Sequence, residues 1–453
     1  MNTSTDMIHS RSNKALPFGL DFGQESKLLS GLKQRSLTHF AKISEAVTSM
    51  KAVTSVLPTM VSAFALIAAL AATPTWADAG AGGTAAGPGG AAGVSNSETS
   101  GGAGSGGGAN SFGGGGGGGG AAGVTGGAGG KGGDGTILNS GGAGGAGAAT
   151  PGAVGAVGTV GAVGGGGGGG GGGAHGFAGG LFPGAGATGG VGGAGGAAPG
   201  AGGGGGGGAG GYGAITTLGG ALGPLIVGVT GGAGGVGGAS VGAEGGDAGD
   251  GGIGLLFTGG VAQTFIIGAA ITGGVRGVGG AGIVGGTGGD GGIGGSLGAN
   301  GTSGAGIAGQ NLAITMGFAG LVTGGLGADA ITFTGGANAL TFANATTGLI
   351  GNISVTGGLA FDQSIIDTTV GNIISGSGSI AKTGSAIINL TGANTYAGTT
   401  TVTAGQLRAS SVNALGASTG ALIVDGGILD IDVAQSKGTL SGIGGATAQV
   451  LFL

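Results

Sequence analysis

The stretch that decides the fold is Gly376 to Arg408, GSGSIAKTGSAIINLTGANTYAGTTTVTAGQLR. Two runs in it, Ile387-Ile388-Asn389-Leu390 and Thr400-Thr401-Val402-Thr403, are rich in β-branched side chains, which fit a pleated, half-buried surface. Between them, Thr391 to Ala397 is a cluster of Gly, Asn and Thr. Gly and Asn tolerate positive φ, so this cluster punctuates the strands. The same spacing recurs upstream at Ile331/Phe333, Leu340/Phe342, Ile353/Val355 and Leu359/Phe361, and downstream at Leu422/Val424 and Leu429/Ile431/Val433. Each set places apolar side chains at i and i+2, on one face of a strand. No such unit can bury its apolar face alone, so the units must stack on one another. The pattern predicts an all-β fold, with a right-handed parallel β-helix (β-solenoid) from about residue 311 onward.

The stretch also carries an ordered series of motifs. It opens on Gly376-Ser377-Gly378-Ser379, continues through Lys382-Thr383-Gly384 and a short apolar strand, and reaches Leu390-Thr391-Gly392-Ala393-Asn394-Thr395-Tyr396. Gly398-Thr399-Thr400, Val402 and Ala404-Gly405-Gln406-Leu407 follow. In this order the series resembles the passenger-associated transport repeat, or autotransporter-associated β-strand repeat, of type V secreted bacterial proteins. Flanking segments such as Ile331 to Gly336 and Gly426 to Ile431 read like neighbouring turns of the same passenger. The resemblance implies a repeat that helps an exported passenger fold and emerge, and an outer-membrane translocator barrel as partner. A twelve-strand barrel of roughly 10 residues per strand plus turns needs about 200 residues, whereas only Ala434 to Leu453 follow Val433. The expectation is a passenger lacking its own translocator, a fragment, or the product of a truncated gene.

Composition supports stacking over a conventional core. Of 453 residues 138 are Gly and only 6% are charged, far from the roughly 7% Gly and about 25% charged of ordinary domains. The chain has no cysteine, so nothing but packing can staple it. Seven of the twelve Lys and Arg lie in the first 51 residues; from Asp78 onward five basic residues face thirteen acidic ones. A diffuse acidic balance without basic clusters argues against nucleic acid as a partner.

Ala52 to Ala77 carries no charge, and its most apolar part, Met60 to Ala72, has the length of a signal-peptide core, short of the roughly 20 apolar residues of a bilayer span. Lys42 and Lys51 supply the positive flank. Residues 1–77 are therefore read as a signal peptide with a long leader, handled by Sec-type export machinery and cleaved between Ala77 and Asp78, with Ala79 as the second choice. The alternative is an uncleaved anchor, which Pro58, Ser62 and Pro74 oppose by interrupting the apolar helix.

Residues 78–310 form a Gly-rich low-complexity segment, with unbroken Gly at 113–120, 164–173 and 202–208. Proline is too scarce for collagen. Two forms remain open: a flexible linker, which the unbroken runs favour locally, or a bundle of extended threefold helices packed through bare Gly faces. Two apolar islands, Leu222 to Val227 and Leu255 to Ile267, suggest irregular strands or partial solenoid turns. The remainder, 311–453, is the β-helix passenger segment, with its repeat at 376–408.

Candidate chemistry is sparse. Gly129 to Asp134 and Gly285 to Asp290 fit the first six positions of a calcium-binding nonapeptide, but Thr136 and Gly292 stand where a large apolar residue belongs, and neither copy is tandem. His175, beside a run of ten glycines, reads as a solvated loop residue. Gly-x-Ser-x-Gly occurs around Ser240, Ser296 and Ser418 without the strand-to-helix turn a nucleophile elbow needs. Asp425, Asp430 and Asp432 are the densest carboxylates; a glycosidase-like pair and a solvated polar face are the two readings, and the second is the simpler. Thr399, Thr400, Thr401 and Thr403 could form an ice- or sugar-binding row, or merely the exposed side of a strand. Asn338, Asn344, Asn352, Asn372 and Asn394 are expected in turns. No cofactor, metal or catalytic residue is expected. The sequence thus points to a non-enzymatic exported passenger, a stalk or adhesin at the cell surface or secreted, with a host or cell-surface ligand as a further partner. The alternatives are an enzyme passenger acting on polysaccharide or ester, and a Gly-rich matrix protein.

Overall fold

The computed structural model describes residues 78–82, 84, 89–92, 114–115, 117–118, 140–179, 181–217, 219–282, 298–442 and 449–452. The leader 1–77, both calcium-like motifs and Ser296 lie outside them. Among the described residues the regular elements are strands, without helix, and the sheets they form are built of parallel pairs. The chain coils as a parallel β-helix with three faces.

One face runs through Phe177–Gly179, Ala214–Thr216, Leu255–Phe257, Ile307–Gly309, Ile331–Phe333, Ile353–Val355 and Ile374–Ser375. The second is a nine-stranded sheet from Gly220–Ala221 through Gln263–Ile267, Leu312–Met316, Ala337–Phe342, Gly358–Asp362, Ser379–Thr383, Thr400–Val402 and Ala421–Val424 to Thr439–Ser441. The third starts at Ala187–Thr188 and reaches Leu349–Ile350. A lone bridge, Thr346 to Thr369, links it to a further sheet that carries Thr368–Val370, Ile387–Leu390, Gln406–Ala409, Ile428–Ile431 and Gln449–Phe452.

Register converts the i, i+2 pattern into interior columns. Ile307, Ile331, Ile353 and Ile374 stack in one; Phe265, Ile314, Leu340, Phe361, Lys382, Val402 and Val424 stack in another. These side chains belong to one continuous buried cluster, apart from Lys382, which is equally buried. Each rung thus covers the apolar face of the one before it, the nearest-neighbour logic of a solenoid. Stacked strands also occur ahead of residue 311, so both apolar islands are coils of the same β-helix.

Coil length is what changes along the chain. Partners are 37 residues apart at Phe177/Ala214, 41 at Ala214/Leu255 and 52 at Leu255/Ile307, but 24 at Ile307/Ile331 and 21 at Ile353/Ile374. The surplus in the long coils is glycine, thrown out as hairpins between the third face and the first. In these the backbone bonds of the described glycines run between limbs and recur every third residue, the pattern of threefold extended helices packed side by side. Gly192 N donates to Ala233 O at 2.9 Å, Gly193 N to Gly171 O at 2.7 Å, and the third residue, Ala194, turns outward; Gly195 and Gly196 repeat the step. An isolated helix of this kind has no internal hydrogen bonds, so its backbone groups must be satisfied by neighbours. The outgoing limbs 152–163, 189–198, 231–240 and 273–281 form an outer layer. The returning limbs 164–176, 202–213, 243–254 and 298–306 lie beneath it, where Gly165 to Gly173 are buried. Parts of 78–82, 89–92 and 114–118 pack against the returning layer from the other side. Where the layers meet backbone to backbone a side chain has no room: in the outgoing limb a Cβ on Gly193 would stand 2.1 Å from Ala156 O, and one on Gly192 1.9 Å from Gly208 O.

Candidate functional site

The coils that hold Gly376 to Arg408 are built so that nearly every motif residue serves stacking. Leu390, Val402 and Leu407 are fully buried in the interior columns. Gly384 and Gly405 sit at successive corners with φ of 73° and 62°, a conformation that strains any side chain. At Gly392 and Gly398 the limit is space, since a Cβ would meet Asn372 O at 2.4 Å or Gly378 O at 2.3 Å. Gly376 combines both limits, with φ of 104° and Val355 O at 2.2 Å.

Lys382 explains the Lys-Thr-Gly motif. Its stem lies in the apolar column between Phe361 and Val402, and its ammonium bends to the corner. There it donates to the carbonyls of Gly384 at 2.7 Å, Ala404 at 3.4 Å and Gln363 at 3.5 Å, and to that of Thr383. Those carbonyls belong to three successive coils. Burial pushes the ammonium down to about 8 from 10.5, while the nearby Asp362 and Asp367 pull the other way. The unfolded chain therefore keeps this proton across a range in which the folded chain has released it, and stability rises with pH between about 8 and 10.5. The expected result is a wild-type slope steeper than that of Lys382→Met over this window, by up to about 1.4 kcal/mol per pH unit. Urea denaturation at half-unit steps measures it; parallel slopes would contradict the buried lysine.

Asn394 and Tyr396 hold the opposite corner. Asn394 Oδ1 accepts from Ile374 N at 2.7 Å, and its Nδ2 donates to Ala414 O at 2.6 Å, so one amide spans the coil before and the coil after. The Tyr396 ring is buried, its hydroxyl is 2.6 Å from Thr400 Oγ1, and Thr400 donates on to Leu415 O at 3.1 Å. Burial pushes the tyrosine pKa up, against the smaller effect of the Thr400 bond. Other amides do similar work: Gln363 bonds both N and O of Phe342 at 2.9 Å, Asn372 donates to Leu349 O and Gly351 O, and Asn338 accepts from Leu312 N at 3.0 Å. The asparagines cap backbone as turn residues do, but the caps run between coils. Gln363 and Gln435, which bonds Leu415 N and Ser411 O, were not legible as site residues. Their signal is position: Gln435 lies two coil lengths after Asn394.

Other sequence candidates are dispersed. Asp430 accepts from Arg408 Nε and Gln406 Nε2 at 2.8 Å each, and Asp432 lies 2.6 Å from Ser410 Oγ and 3.9 Å from Arg408 Nε. Asp430 is buried rather than solvated, because Arg408 and Gln406 of the preceding coil fold over it. Asp425 stands apart at an exposed corner. The threonine row is split: Thr400 points inward and is fully buried, while Thr401 and Thr403 point out.

His175 is the clearest correction. It is buried, stacks on the Tyr212 ring at 4.5 Å and accepts from Tyr212 N through Nδ1 at 2.7 Å. The glycines around it let backbone and ring close in, so the run that suggested solvent is what buries it. Ser240 Oγ donates to Gly202 O and accepts from Ala243 N, a turn cap, and Ser418 is exposed. Asp78, beside the expected cleavage point, exchanges bonds with Asp250; Ala77 lies outside the described residues. Among the described residues no group of three or more His, Asp or Glu side chains could hold a metal, and no helix is long and apolar enough to cross a membrane.

The architecture defines a class first: a parallel β-helix whose best-formed coils are held by buried side-chain staples. Residues 380–409 match the family model of the passenger-associated-transport-repeat, so the chain carries such a repeat, and this supports an autotransporter passenger role. Comparison with curated proteins and with solved structures gave no match. The repeat implies export to the surface or secretion, with export machinery and a translocator barrel as partners in general terms.

Proposed function

We propose that the chain is a non-enzymatic passenger, a stalk or adhesin whose repeat coils assist folding as the chain emerges. The observation that carries this reading is how the repeat spends its residues. Lys382, Asn394, Tyr396 and Thr400 are all turned inward or between coils, and none presents a reactive group to a substrate. Stacking one coil on the last can proceed in the order in which the chain emerges. In this reading a leader cleaved after Ala77 delivers the chain to the Sec-type machinery, and an outer-membrane barrel completes export.

Two measurements test it. In cells that also supply a translocator, the passenger should be reached by external protease and its exported form should begin at Asp78. A passenger found only in the cytosol, or one that keeps residues 1–77, would end the proposal. The alternative, an enzyme passenger using the Asp425, Asp430 and Asp432 side of the β-helix, predicts hydrolysis of polysaccharide or ester that alanine at those positions abolishes. The non-enzymatic reading predicts no such hydrolysis to abolish.

A further inference from the structure

The outer layer of the glycine bundle presents a flat face of methyl groups. Its limbs are joined edge to edge by Gly155 N to Val191 O, Gly192 N to Ala233 O and Gly234 N to Val275 O, each 2.9 Å. The threefold twist turns every third side chain to the same side, about 9 Å apart along a limb. Along the first limb these are Val154, Val157, Val160 and Val163, which are 60–73% exposed. Across the layer one row reads Val157, Ala194, Val236 and Val278. Thr159 turns its hydroxyl aside to Ala143 N at 2.6 Å, and Arg276 stands at the far edge.

We propose that this face is where two copies of the chain associate. Its extent fits. Eight outward valines, 41–73% exposed, offer on the order of 600–800 Å² of apolar surface, the scale of one side of a stable interface and above the largest patch of most monomers. Its chemistry selects a second copy over other occupants. A surface that lies on lipid carries a basic face beside its apolar residues, whereas here the rows hold Val and Ala and, among the described residues of these limbs, Arg276 at the edge is the one basic side chain. A different protein would be recognised through polar groups in the rim and core, whereas homodimer interfaces are the more apolar kind. Its periodicity is self-complementary: the outward valines recur about every 9 Å along a limb, so those of one copy can seat between those of another about a twofold axis.

The test is sedimentation velocity of the full chain, with and without phosphatidylcholine vesicles. Wild type should be dimeric at about 10 µM. Val157→Lys and Val236→Lys, both at outward positions, should be monomeric, their association at least tenfold weaker, with unchanged circular dichroism. Val412→Lys, equally exposed but at a β-helix corner away from the bundle, should dimerise as wild type. A wild type that stays monomeric at about 100 µM, a dimer that both bundle variants leave intact, or equal loss in Val412→Lys would overturn the proposal. So would monomeric wild type recovered on the vesicles, which would make the face a lipid contact.

Discussion

Gly207→Ala should cost the chain roughly 4 kcal/mol or more and release the described glycine bundle. Gly207 lies in the buried returning layer, donates to Asp247 O at 2.8 Å and accepts from Gly80 N at 2.7 Å. A Cβ there would be 2.1 Å from Gly235 O and 2.6 Å from its carbon. The obstruction is backbone, so no flexible side chain can yield; limbs must separate by about an ångström. Separation forfeits bonds on several sides, each worth about 1 kcal/mol net and more where a buried group is left unpaired, on top of an overpacking cost of about 1–3 kcal/mol. Ala194→Val, at an outward position one layer away, should shift stability by no more than about 0.5 kcal/mol. Urea denaturation of both variants, with amide exchange in 140–282, reads the contrast. Wild-type stability in Gly207→Ala would mean that the glycines do not pack as described.

The same glycines show where sequence reading runs out. The coils from Ile331 onward were legible because strand alternation leaves an i, i+2 mark, and the corner glycines and asparagines left theirs. The bundle leaves no strand alternation, since its cohesion is backbone hydrogen bonding between glycine-rich limbs. An unbroken run such as Gly202 to Gly208 is what both a loose linker and the centre of such a bundle require. The better clue was the period-three placement of Val and Ala, as in Val154, Val157, Val160 and Val163, which a linker does not need. His175 shows a related limit: its neighbours in sequence are small and mostly glycine, while its neighbour in space, Tyr212, comes from the next coil. Thr400 and Lys382 illustrate the converse. Polar residues read as outward-facing or as motif letters occupy interior columns, because each finds its hydrogen bonds at a corner within side-chain reach.

Asn394→Ala should lower stability by roughly 2–5 kcal/mol, while Thr395→Ala beside it, exposed, should stay within about 0.5 kcal/mol. Truncating Asn394 strands two buried groups at once, Ile374 N and Ala414 O, which its amide now satisfies at 2.7 and 2.6 Å. No backbone ladder can replace it, because the first face has no regular strand beyond Ile374–Ser375 and the side chain substitutes for the missing rung. Asn394→Asp keeps the acceptor but loses the donor and buries a charge, so it should be no better than alanine. Where the loss appears is the sharper test. In a solenoid each coil leans on its neighbours, so amide exchange should accelerate first from Ile374 to Ala414 and leave the Leu312 to Phe342 coils protected. A uniform acceleration along the chain would show instead that the β-helix unfolds as one unit, and that the repeat does not hold its coils locally.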